Sequence, residues 1–116
     1  MTAESKPDLQ TIRLSEGVKA DLKGVRVSSK TLEKQIDNNP NNRGLRHSRL
    51  REYGIRVAAI VEFATSPDAT IDSVADEYQI PRESVVAALR FYGRNKLPIE
   101  DYIYTNRDGF GVPISQ

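Results

Sequence analysis

The sequence predicts a mainly α protein: a compact helix-turn-helix core, with a short N-terminal arm of strand and helix and an irregular or β C-terminal tail. Three observations carry this reading. Ile71, Val74, Ala75 and Tyr78 recur at i, i+3, i+4 and i+7, and Val85, Ala88, Leu89 and Tyr92 repeat that spacing after Pro81, so two short amphipathic helices meet at a tight turn. The stretch from Ile55 to Ala64 is almost wholly apolar and rich in alanine, which suits a buried helix. Residues 37–44 hold Asn38, Asn39, Pro40 and Gly44, a cluster of turn formers that separates weak patterning from strong. The chain therefore divides into an arm (1–42), a core (43–104) and a tail (105–116).

In the arm, Leu9 to Leu14 alternates weakly, as a short strand would. Ser15 is placed to cap a helix through Leu22, with Leu14, Val18 and Leu22 on one face and Gly24 in a left-handed turn beyond it. Val25 and Val27 suggest an extended piece. Ser28 or Ser29 then caps a helix reaching Ile36, with Leu32 and Ile36 inward. In the core, Thr70 is a good N-cap and Asp72 suits the positive end of the helix that follows. Gln79 stands where many such turns carry glycine, Ile80 plugs the angle, Pro81 opens the second helix and Gly93 ends it. The C-terminal segment from Tyr102 to Gln116 has a high apolar load (Tyr102, Ile103, Tyr104, Phe110, Val112, Ile114), but Gly109, Gly111 and Pro113 oppose a continuing helix. A hairpin, a docking strand or an irregular segment is expected there.

The totals narrow the function. With 116 residues the chain builds one core, not two. It has no cysteine and a single histidine, His47, so disulfides, cysteine metal sites and multi-histidine metal sites are excluded. No apolar run approaches the roughly 18–20 residues of a membrane span. Met1 to Asp8 is polar and lacks the features of a signal peptide, so a cytoplasmic protein without membrane contact is expected. A net charge of +1 argues against coating nucleic acid by charge alone. Arg43, Arg46, Arg49, Arg51 and Arg56 nevertheless gather in one stretch, and a local basic patch suffices for DNA contact.

If the second helix of the motif is the reader, its early and outward residues meet bases or phosphate: Arg82, Glu83, Ser84, Val86, Ala87, Arg90 and Arg94. Arg46, Arg49 and Arg51 assist from the basic stretch. Val86, Ala87 and Phe91 lie off the main seam and require cover from a third element or a second subunit. A homodimer reading two half-sites fits that need. An enzyme is not expected. His47 sits among arginines as a surface or phosphate-contacting group. Glu100 and Asp101 are adjacent, so they do not share a helix face, and a capping or solvated role suits them. Neither a glycine-rich phosphate loop nor a Gly-x-Ser-x-Gly motif is present, and no catalytic residue, cofactor or metal is assigned.

One resemblance adds to this reading. The runs Tyr53-Gly54-Ile55-Arg56-Val57, Ala59 to Phe63, Ile71 to Tyr78, and Pro81 with Val85 to Tyr92 resemble the prokaryotic domain of unknown function 433 across roughly residues 53–92. The chain departs from that family at Ile55, where threonine is usual, and lacks the proline common just after it. The resemblance implies a compact helix-turn-helix protein of antitoxin type, similar to the VapB group, with a PIN-domain ribonuclease toxin as partner. It implies binding roles, not catalytic ones. Three classes follow: an antitoxin binding duplex DNA and a toxin, a DNA-binding regulator without a toxin, and an interaction module using the motif as scaffold.

Overall fold

The computed structural model describes residues 12–111, with side chains as far as Thr105. Helix α1 (Glu16–Leu22) begins where Ser15 Oγ accepts the Val18 N–H at 3.0 Å. The same hydroxyl donates to the Ala69 carbonyl at 2.6 Å, so the cap also docks the arm onto the core. Gly24, at φ +77°, turns the chain out of the helix. Helix α2 (Ser29–Gln35) is capped by Ser28 and runs directly into β1 (Ile36–Asp37).

Strand β1 pairs antiparallel with β2 (Arg49–Leu50), Ile36 opposite Leu50. Between them run two single 3-10 turns, Pro40–Asn42 and Leu45–His47. Asn41 and Asn42 take the left-handed conformation there, at φ 55° and 61°, which asparagine tolerates better than most residues. The lead-in to the next helix folds back on β2: the Leu50 N–H donates to the Ile55 carbonyl at 2.8 Å, and Arg49 bridges Arg56. This small sheet has no counterpart in the sequence reading, because two-residue strands are too short to show a period of two.

Four helices complete the fold: α3 (Val57–Ala64), α4 (Ile71–Tyr78), α5 (Arg82–Arg94) and α6 (Lys96–Gly111). Thr70 caps α4 through a reciprocal pair with Ser73, and Gln79 closes it in the left-handed region at φ 57°. Pro81 is the N-cap of α5 rather than its first residue, and α5 runs one residue past Gly93. Helices α3, α4 and α5 pack against one another.

One hydrophobic cluster holds everything. Val18, Leu22, Leu32 and Ile36 from the arm join Ile60, Val74, Val85 and Leu89 of the helical unit and Ile99 and Ile103 of α6. The expected core residues Ile60, Val74, Ala75, Val85 and Leu89 are buried; Tyr78 is half-buried, its hydroxyl donating to the Ala59 carbonyl at 3.2 Å.

The fold is mainly α, as expected, and two local expectations are corrected. The chain from Tyr102 to Gly111 is neither strand nor irregular but the second half of α6. Ile99 and Ile103, four residues apart and fully buried, give that helix a seam, and the glycines fall only at its end. Residues 112–116 lie outside the described residues. The strand expected over Leu9–Leu14 is absent over 12–14, and 9–11 lie outside the described residues. Among the described residues, no helix is long and apolar enough to cross a membrane.

Candidate nucleic-acid interface

Helix α5 is buried on most sides. Ser84, Val85, Ala87, Ala88, Leu89, Phe91 and Tyr92 all face protein. At about 100° per residue, Arg82, Glu83, Val86, Arg90, Gly93 and Arg94 fall within an arc of about 120°. This arc is the one stripe of α5 left toward solvent, and from Arg82 to Arg94 it spans about 18 Å. The expected outward placement of the three arginines is observed. Ser84 and Ala87 are not outward: they are 3% and 1% exposed. Helix α2 lies along that side, with Ser84 Oγ 3.4 Å from Gln35 Oε1. Ala87 and Phe91 share that side with Ser84, so the chain itself covers two of the three apolar positions for which a second subunit was invoked, and Val86 stays on the outward arc.

The three arginines are engaged differently. Arg82 pairs with Asp72 across the turn, and the two side chains are 52% and 76% exposed. Such a pair is worth no more than about 1 kcal/mol and yields readily to a better partner. Arg90 donates from one nitrogen to the Leu22 and Val25 carbonyls, each at 2.5 Å. Arg94 donates to the Val27 carbonyl at 2.8 Å and to Ser29 Oγ at 3.3 Å. Both therefore brace the α1–α2 connection.

These contacts shape a groove lined by the Gly24–Ser28 segment with Arg90, Gly93 and Arg94. Its lining has three arginines, Arg26 included, and no carboxylate. Arg26 is exposed and enters no hydrogen bond or ion pair among the described residues. The sequence reading missed Arg26; the alternation Val25-Arg26-Val27, noted only as an extended piece, was the available signal. The groove at the helix turn has another character: Asp72 and Asp76 line it beside Arg82.

The basic stretch does not form one free surface. Arg46 donates to Asp101 at 2.7 Å, and its guanidinium lies 5.9 Å from the Tyr102 ring centre. Arg56 donates to the Tyr102 hydroxyl and to His47 Nδ1, the latter at 3.2 Å, while the His47 and Tyr102 rings meet edge-on at 5.0 Å. Arg51 donates through Nε to the Glu33 carbonyl at 3.0 Å, and Arg49 is half-buried. Arg46, Arg51 and Arg56 thus tie the 45–56 segment to α6 and α2, contacts that its reading as a DNA-facing patch did not include. His47 is half-buried, and desolvation first, then Arg43, Arg56, Arg46 and Arg49, hold its pKa below 6.5. A neutral imidazole accepting at Nδ1 fits the Arg56 contact better than a cation on phosphate. Glu100 accepts from the Tyr92 hydroxyl at 2.5 Å, and Asp101, exposed as expected, accepts from Arg46.

Compared with models of protein families, with curated proteins and with solved structures, the chain matches none. The resemblance to domain of unknown function 433 rests on its motif residues alone.

Proposed function

We propose that the chain is a small cytoplasmic regulatory protein that binds duplex DNA along the outward stripe of α5 and does no chemistry on it. The observation that supports this most is the alignment of Arg82, Arg90 and Arg94 on the only solvent-facing arc of the second helix of the motif. In this reading Arg82 exchanges Asp72 for a guanine edge, and Glu83 favours a cytosine amino group beside it. Arg90 and Arg94 keep their carbonyl contacts and offer remaining N–H groups to phosphate. Two copies read two half-sites. The family resemblance supports the antitoxin-like form of this function, with a PIN-type ribonuclease as second partner.

The test is binding of the intact protein to labelled duplexes, including the promoter region of its own gene, across a salt series. Two phosphate contacts per copy, four with two copies bound, predict a log–log salt slope of roughly −3 to −4. Arg82→Ala should weaken binding to a preferred site more than to random DNA. Absence of salt-sensitive binding to any duplex refutes the proposal. One observation favours the interaction-module reading instead: Asp72 and Asp76 beside the turn repel phosphate. A protein partner retained through purification, with no DNA binding, would decide for it.

A further inference from the structure

We propose that the groove between the Gly24–Ser28 segment and the last turn of α5 extends the phosphate contact of Arg90 and Arg94 onto the arm, as a phosphodiester-binding site that positions the duplex without reading its sequence. This inference rests on the DNA-binding reading above and adds to it the arm, which that reading leaves idle. The lining supplies three guanidinium groups and no carboxylate, in contrast to the acidic groove at the helix turn. Arg90 and Arg94 are fixed by their bonds to Leu22, Val25 and Val27, so their remaining donors are pre-oriented. Arg26 has no partner among the described residues and faces the same space. Gly93 presents no side chain there, and a Cβ added to it would meet nothing within 4 Å, so the floor of the groove is open.

The geometry of a duplex matches this layout. The major groove is about 12 Å wide. A helix about 18 Å long between Arg82 and Arg94, with its first turn against base edges, carries its last turn out over the flanking backbone. The basic groove lies at that end. Lys23 and Lys30, both exposed, flank it in sequence and extend the positive potential along the strand.

The experiment compares intact wild type with Arg26→Ala, Arg26→Lys and Gly93→Glu on a preferred and a random duplex across a salt series. Arg26→Ala should reduce the salt slope by about 1 for each bound copy and weaken binding to both duplexes by the same factor, leaving their ratio unchanged. Arg26→Lys should keep most of the affinity, because phosphate accepts a point charge. Gly93→Glu, which puts a carboxylate into open space, should weaken both duplexes more than Arg26→Ala. Thermal melting of each variant checks that the fold is retained. If wild type binds DNA and both Arg26→Ala and Gly93→Glu leave slope and affinity unchanged, the groove is not a contact and only this inference falls. A preferred-to-random ratio that changes with Arg26→Ala also overturns it, since the residue would then read sequence. If wild type binds no duplex, both readings fall together.

Discussion

Gly17 lies in the first turn of α1, and replacing it with alanine sets two effects of opposite sign against each other. In an open helix, Gly→Ala gains up to about 1 kcal/mol, because glycine gives up the most backbone freedom on folding. Here the new Cβ would stand 2.8 Å from the Ala69 carbonyl oxygen and 3.1 Å from Thr70 Cγ2. The first contact is with backbone, which cannot swing aside as a side chain would. That carbonyl also accepts the buried Ser15 hydroxyl at 2.6 Å, so moving it strains the cap of α1. Overpacking of this kind costs about 1–3 kcal/mol, and a weakened hydrogen bond about 0.5–1.5 more. With the full gain set against these costs, the net expectation for Gly17→Ala is a loss of about 0.5–3.5 kcal/mol, or several degrees in Tm for a domain of this size. Gly93→Ala is the matched control. It sits inside α5 with nothing within 4 Å of its Cβ, and should stabilise by about 0.5–1 kcal/mol. Urea titrations with unchanged m-values measure both. If Gly17→Ala equals or exceeds the wild type in stability, α1 is not seated against residues 69–70 and the docking described here is wrong.

Gln79→Gly should raise stability by about 0.5–1 kcal/mol, since the left-handed φ of 57° strains any residue with a Cβ; a loss would mean that the glutamine side chain makes a contact that matters. Tyr92 is buried and bonded to Glu100, and desolvation with that carboxylate raises its pKa above 10.0. Keeping the phenol protonated therefore favours the folded state fully below pH 10 and progressively less above it, so Tyr92→Phe should be less stable at neutral pH and flatter above pH 10. His47 works at the other end. Its lowered pKa means the unfolded chain binds the proton more readily, so stability should fall as pH drops through 6.5, and His47→Gln should blunt that fall in a denaturation series.

The helical pattern was legible in the sequence wherever a seam was long enough to repeat. Val74, Ala75, Val85 and Leu89 follow from spacing, and Ser15, Ser28 and Thr70 from the chemistry of caps. Helix α6 was hidden because, among its described side chains, Ile99 and Ile103 are the fully buried ones, diluted by polar residues and followed by glycine. The site was half legible. Outward placement of Arg82, Arg90 and Arg94 follows from helical phase. What their guanidinium groups bind does not, because the partners lie 10 to 68 residues away in sequence. Arg46, Arg51 and Arg56 show the same limit: a run of arginines looks identical in sequence whether it faces water or grips another helix.

The seating of the arm also bears on the order in which the protein is made. Helices α1 and α2 have seven residues each, too short to hold themselves in water. Their docking partners come late: Ala69 follows Ser15 by 54 residues, and Arg90 follows Leu22 by 68. At roughly 5–20 residues per second, translation needs on the order of 3–14 s to cover the longer interval. The part of the described chain that emerges from the ribosome first is thus among the last to find its place, and it spends those seconds as an unanchored leader. A chain terminated after residue 68 should show no amide protection over residues 16–22; protection there would mean that the arm orders without its dock.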